Sequence, residues 1–416
     1  MTSTRSLKTA RREQWILLAA FFLLFPGFFF YHTLLGTGTT GAFLGGYFAP
    51  ISLLFAVPLG LIYLKRMQRD PRRFHAVDLH LCLFLIYFVA VIVVNAAAGA
   101  NRTIVGNHIL GILFIFNMFV IASFLDFDSP RFRIVGLLSL AAMTTIAISF
   151  SVDGVFYLGA MGIAKDADAL ATYQGFARSY LNTFLTVISF TRAMPLRLVL
   201  YASGAMTLFL NTARSEFAAL MFAIPIIEFY YSRHKLHFLL CGIILFFVIH
   251  LYFDQILAAL PANRILELLD LSQSTSANKR HHLTVHAVQT ILAHPLLGDY
   301  ASYKPGYYSH NVLSAWVDLG FFGIAYLCLV TVVPIIPMFI REYFAPRHCG
   351  IFLLGFSMAC VTVLLLLTSH YFTDMLIGAT LGASSRYFYE RKYAKNRTPD
   401  LRPSAPRHPD FRQAMP

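Results

Sequence analysis

The sequence predicts an all-α polytopic membrane protein of about twelve transmembrane helices, with one large outer loop between spans nine and ten. Three observations carry that prediction. Hydrophobic residues make up 57% of the 416 and charged residues only 13%, against roughly a quarter charged in an ordinary soluble chain. Apolar runs of about 17 to 25 residues recur along the whole length, each able to cross a hydrocarbon core of roughly 30 Å at about 1.5 Å per residue. The basic residues behind the formal net charge of +13 gather in short loops at one end of these runs. That is the positive-inside pattern and not a nucleic-acid footprint.

The elements follow in order from hydropathy and from Gly, Pro and charge punctuation. The first apolar run comes after Arg5, Lys8, Arg11 and Arg12, extends from Trp15 to about Leu35, and lacks a small-residue cleavage signature. It reads as an uncleaved first span with the N-terminus inside. Further spans are expected near 41–64, 77–98, 104–125, 132–150, 173–191, 196–211, 215–231, 236–253, 311–340, 350–368 and 371–389. With both termini cytoplasmic, the inner segments collect 25 of the 33 Lys and Arg. The eight on the other side are Arg102, Lys165, Arg178, Arg214, Arg264, Lys279, Arg280 and Lys304, and these run against the insertion bias.

Two outer segments are long, 151–172 and 254–309. The second is expected to hold a helix over His282–Ala293, ended by His294 and Pro295, and then a Gly- and Tyr-rich piece. Residues 1–395 therefore form a single membrane domain, and 396–416, rich in Pro and Arg, a disordered cytoplasmic tail. Cys82, Cys241, Cys328, Cys349 and Cys360 all fall in spans or at an inner loop, so no outer disulfide is expected.

The residues able to carry chemistry sit at the outer ends of the spans. Arg214 lies 17 residues beyond Arg197, or roughly 26 Å of helix, which puts it near the outer edge of the core. A guanidinium there marks a functional cavity or is satisfied by Glu216 or by headgroups. Arg280, with Lys279 before it, precedes the expected loop helix, where cations and free helix N–H groups together favour an anion. A solvated basic turn is the plainer reading. Arg264 has the same ambiguity, with Glu267 at pairing distance on a helix. His310 stands where the polar outer stretch enters span ten, and histidine is the side chain whose pKa best suits proton transfer near neutrality. Asp318, roughly 12 Å further along that helix, reaches His310 only through an intermediary. His370 and Asp374 at the outer end of span twelve are further candidates, and Arg178 lies in the outer half of its span. No phosphate-binding Gly loop, zinc-type spacing or nucleophile elbow is present, so neither a metal nor another cofactor is expected.

The segment HPLLGDYASYKPGYYSHNVLSAWVDLGFFGI resembles the signature region of the O-antigen ligase and polymerase superfamily through His294, Pro295, Gly298, His310, Asn311, Gly320 and Gly323. Arg214 and Arg280 resemble that family's two functional arginines, and Asp318 stands where a Glu is common. The twelve spans and single large outer loop are similar to the ligases in particular, since the polymerases more often carry extra spans and two comparable loops.

The resemblance implies transfer of a glycan from undecaprenyl diphosphate to a sugar hydroxyl of lipid A-core, at the periplasmic face of a bacterial inner membrane, in lipopolysaccharide biosynthesis. It implies Arg214 and Arg280 on the diphosphate and His310 as base, arginine taking the part of a metal. Membrane lipids surround the protein and nucleic acid has no part. The competing classes are a polymerase of the same superfamily and a lipid-linked glycan flippase or transporter. A transporter should place its polar residues near the bilayer midplane.

Overall fold

A computed structural model describes residues 2–44, 46–165, 167–255, 265–266, 275–345 and 348–394. Helices α1 (Thr2–Phe22) and α2 (Phe28–Gly36) join without a break through a π-helical turn, Leu23–Gly27. Pro26 lies in that turn. Having no N–H and a ring that crowds the preceding carbonyls, proline widens the helix there instead of ending it. Next come α3 (Phe48–Arg69), α4 (Ala76–Ala97), α5 (Arg102–Phe124), α6 (Pro130–Ser149), α7 (Tyr173–Ser189), α8 (Met194–Leu210), α9 (Arg214–Tyr231) and α10 (Lys235–Leu251). After a loop come α11 (Thr275–Ala293), α12 (Leu313–Val332), the short α13 (Ile335–Met338), α14 (Gly350–Thr368) and α15 (Met375–Ala394).

Among the described residues, seven stretches are long and apolar enough to cross a membrane by length and composition, and α8 and α10 are shorter apolar helices. The chain is thus an all-α membrane protein in character. Among the described residues, strand occurs only as a two-residue hairpin, Ser151–Val152 with Val155–Phe156. Its turn is Asp153-Gly154, both at positive φ, which a tight hairpin of right-handed twist requires.

Several boundaries differ from the sequence reading: α1 begins at Thr2, ahead of the first apolar run, α3 and the last helix run on to Arg69 and Ala394, past the expected ends at 64 and 389, and three starts move for physical reasons. The second span starts at Phe48 and not near 41, because the apolar residues 41–46 include three glycines that weaken a helix. The last helix starts at Met375 and not 371, since the Asp374 carboxylate accepts from the Leu376 N–H at 2.9 Å and ends the non-helical connection. The loop helix starts at Thr275 and not at His282. Ala, Lys and Arg in that polar stretch are good helix formers, and no Gly or Pro intervenes. Arg280 therefore lies inside α11, and the expected helix-N-terminus anion site at Arg280 does not exist.

Close packing is set by small residues. On α15 an added Cβ at Gly378 would lie 1.9 Å from the Ile115 carbonyl oxygen, and one at Gly382 would lie 2.3 Å from that of Phe119. This Gly-x-x-x-Gly edge lets α15 press onto the α5 backbone. Around it Phe21, Phe25, Phe84, Phe88, Phe119, Phe132 and Phe184 fill the core, all under 2% exposed.

The two ends of the bundle differ in chemistry. At one, Glu13 pairs with Arg66 and Arg69 at 2.8 and 2.9 Å, Arg73 lies 4.2 Å over the Tyr389 ring, and Arg197 pairs with Glu228 at 2.5 Å. At the other end the segment 300–311 meets the connection 369–374 through Tyr303, Tyr308 and Tyr371.

Gly298 and Gly320 lock the loop onto α12. Gly320 interrupts that helix with φ 67° and ψ −171°. A break inside lipid leaves carbonyls and N–H groups that must be satisfied by protein. Here Asp299 N donates to Val317 O at 2.7 Å, Phe321 N to Leu296 O at 3.0 Å, Trp316 Nε1 to Pro295 O at 2.8 Å, and the α4 residue Tyr87 to Leu319 O at 2.6 Å. Gly298, at φ 73°, touches the other side of the break: a Cβ there would lie 2.4 Å from Val317 O, and one on Gly320 2.2 Å from Leu296 O.

Candidate active site at one end of the bundle

The locked loop, the 369–374 connection and the ends of α5 and α7 enclose a cavity of about 310 Å³, whose wall includes Arg178, Tyr308, His310, His370 and Asp374. That volume is at the low end of small-molecule sites, so it suits a polar headgroup and not a long lipid tail.

One wall is a chain of four ionisable groups. Arg178 of α7 pairs with Asp374 at 3.1 Å, His370 Nδ1 lies 2.8 Å from the same Asp374 oxygen, and His370 Nε2 lies 3.2 Å from Glu216 on α9. His370 is 5%, Asp374 7% and Glu216 1% exposed, so the imidazole is held between two carboxylates out of water, while the Arg178 side chain, 30% exposed, meets Asp374 from the cavity. Burial works against a charged His370, but Asp374 and Glu216 outweigh it and hold the imidazole up at about 9. Burial likewise opposes the Asp374 charge, yet Arg178 and His370 keep that carboxyl well below its usual range. Some polar capacity remains facing this region: Arg178 Nε and Ser369 Oγ are buried without a hydrogen-bond partner among the described residues.

The second wall is built of tyrosines gathered on one buried carboxylate. Asp318, fully buried, accepts at Oδ1 from the Ala301 N–H and at Oδ2 from the Tyr303 and Tyr371 hydroxyls, at 2.9, 2.9 and 2.5 Å. With the Tyr371 proton used on Asp318, its oxygen accepts from His108 Nε2 at 2.7 Å, and His108 Nδ1 is left to accept from Tyr300 at 2.8 Å. The expected intermediary between Asp318 and His310 is therefore a stack of tyrosines. Tyr308 packs its ring 4.5 Å from Tyr371 and 4.6 Å from His310.

His310 sits three residues ahead of α12, half-buried on the cavity wall. Burial lowers its pKa, and the charges of Arg280 and His370 lower it further. It is thus neutral at pH 7 while His370 is protonated. Arg280 projects from α11, its charge also reaching Tyr308. Asn311 does not face the chemistry: its Oδ1 accepts from Leu313 N at 3.0 Å and Ser309 Oγ at 2.8 Å, and its Nδ2 donates to Thr284 on α11 at 3.4 Å, so it starts α12 and ties the loop helix to it.

The structure brings together His310, Arg280, Arg178, His370, Asp374 and, through the tyrosines, Asp318. Arg214 opens α9, half-buried, but does not line this cavity. The α9 residue that joins the cluster is Glu216, which the sequence offered only as a partner for Arg214. Arg264 lies outside the described residues, and of Lys279 only the backbone, within α11, is described. Tyr303, Tyr308, Tyr371 and His108 were not anticipated. The signal available for them was the density of Tyr in 300–308 and a histidine in the apolar α5. Among the described residues no group of three or more His, Cys, Asp or Glu is placed to hold a metal ion. No family model, curated protein or solved structure matches the chain.

Proposed function

We propose that this protein is a glycosyltransferase of the O-antigen ligase kind, moving a glycan from undecaprenyl diphosphate to a sugar hydroxyl of lipid A-core at the periplasmic face. One observation carries the reading: a neutral histidine, His310, shares one cavity with Arg178 and lies within reach of the Arg280 charge. A lipid diphosphate is already a good leaving group, so its transfer needs cations to hold the developing charge and a base for the acceptor hydroxyl. In the proposed step the acceptor oxygen bonds to the anomeric carbon, and the bond from that carbon to the phosphate oxygen breaks. Undecaprenyl diphosphate leaves with the electron pair, and His310 takes the hydroxyl proton. Arg280 neutralises the diphosphate, Arg178, paired with Asp374, adds a hydrogen-bond donor from the cavity wall, and Arg214 at the head of α9 is the second diphosphate ligand of this reading. Twelve spans, cytoplasmic termini and a periplasmic loop over 254–309 belong to this reading.

The test is a reaction with purified protein and undecaprenyl diphosphate-linked glycan, given either lipid A-core or a second lipid-linked glycan. Glycan-capped lipid A-core is the expected product. Elongation of the lipid-linked glycan instead would make the chain a polymerase, and no product with either acceptor would remove the transferase reading.

A further inference from the structure

The basic end of the bundle holds a second cavity, of about 380 Å³, between α4, α15 and the region where α12 gives way to α13. Its origin is covalent. Pro334 and Pro337 have no N–H to offer the carbonyls four residues earlier, so the helix that α12 begins passes through a turn, the short α13 and a π-helical turn, Phe339–Tyr343. The bowed segment leaves a hollow beside α15. Most of its wall is apolar, from Val77, Leu329, Val330, Val333, Leu381 and Phe388, and Leu329 and Val333, 39% and 51% exposed, carry that wall out to the lipid-facing surface.

The rim is cationic. Arg72 and Lys392 lie 5.8 and 5.7 Å from the Tyr393 ring, which places both cations about one aromatic side chain at the cavity edge. Among the described residues no acidic side chain is part of the lining. Asp70 beside it accepts from the Tyr389 hydroxyl at 2.5 Å, and His75 is turned to the Ser385 carbonyl at 2.8 Å. An apolar hollow open to lipid, with two cations at one end, is complementary to a phospholipid whose headgroup bears net negative charge. A glycan would find few hydrogen-bond partners in it, and a soluble anion would leave the apolar wall uncovered.

We infer that this cavity is a binding site for an anionic phospholipid, its phosphate between Arg72 and Lys392 and an acyl chain along Leu329, Val333 and Leu381. The inference does not rest on the transferase reading.

The test is native mass spectrometry of purified, delipidated full-length protein incubated with phosphatidylglycerol or phosphatidylcholine. Phosphatidylglycerol should be retained preferentially. The double variant Arg72→Gln/Lys392→Gln, altered only at exposed side chains, should weaken that retention by on the order of tenfold. Val333→Trp, which fills the hollow, should remove the bound lipid of either kind. Inorganic phosphate in excess should leave the phosphatidylglycerol adduct in place. Equal retention of the two lipids, an unchanged double variant, an unchanged Val333→Trp, or displacement by phosphate would each overturn the inference.

Discussion

His310 and His370 meet at one cavity in opposite protonation states, and their neighbours decide which can act as a base. His370 is flanked on both ring nitrogens by carboxylates and stays protonated to about 9, so at neutral pH it has no lone pair to offer. His310 is lowered from 6.5 by burial and by Arg280 and His370, so it has one. We expect His310→Ala to lose roughly 10²- to 10⁴-fold in turnover while still binding lipid-linked donor in a pull-down. Donor binding lost together with turnover would make His310 a diphosphate ligand. Because the base must be deprotonated, the rate should hold at neutrality and fall only below 6.5, and Arg280→Gln should move that acid limb to higher pH. The chain Arg178–Asp374–His370–Glu216 makes a separate prediction. A raised histidine pKa contributes stability in full below 6.5, and that contribution is lost as pH rises through about 9. The melting temperature should therefore decline over that window, and Asp374→Asn, which strips the shared anion from buried His370 and from Arg178, should cost about 3–5 kcal/mol in the same thermal assay. His310, Arg178, His370 and Asp374 were each legible as ionisable residues at span ends, where insertion disfavours them. That Glu216 completes the chain was not, because the contact joins residues 154 apart and leaves no local pattern.

At the level of elements, the glycines of the loop and of α12 act through shape. Gly298 and Gly320 face each other across a helix break, and each would drive a Cβ into backbone of the other segment. Backbone cannot yield as a side-chain tip can, and both residues hold positive φ. Gly320→Ala should therefore cost about 1–3 kcal/mol from the dihedral and a similar amount from the clash. The expected result is a lower melting temperature and a loop more open to protease between 296 and 310. A variant with wild-type melting and cleavage would show that the loop does not depend on the break. Helix existence was readable throughout from apolar length and Pro or charge punctuation. What failed were starts set by other means: glycine content before α3, a carboxylate cap before α15, and helix propensity without hydrophobic period in α11. The break at Gly320 was invisible because an apolar run looks the same whether its backbone is continuous or interrupted.

Taken whole, the molecule has one end tied by arginines to carboxylates and aromatic rings and another built of tyrosines around buried ion pairs. The proteins that insert such chains respond to Lys and Arg in short flanking segments, and Arg66, Arg69, Arg72, Arg73, Arg386 and Arg391 all belong to the first end. Their joint position shows more than a count along the sequence could, since Glu13 reaches both Arg66 and Arg69, Arg73 meets Tyr389, and Arg386 donates to the Leu125 carbonyl. Four segments distant in the chain thus close one face. On that basis Arg69 and Lys392 should face the cytoplasm, and Tyr157 and Lys304 the periplasm. In a background with Cys82, Cys241, Cys328, Cys349 and Cys360 replaced by Ser or Ala, single cysteines at these four positions can be exposed to a membrane-impermeant maleimide on intact cells. Tyr157→Cys and Lys304→Cys should label in intact cells, and Arg69→Cys and Lys392→Cys only after permeabilisation. Labelling of Lys304→Cys together with Arg69→Cys from one side would contradict the bundle's polarity. The fully inverted pattern would keep the fold but put the His310 cavity on the wrong side for a lipid-linked glycan presented in the periplasm, and the transfer reaction would have to be abandoned with it.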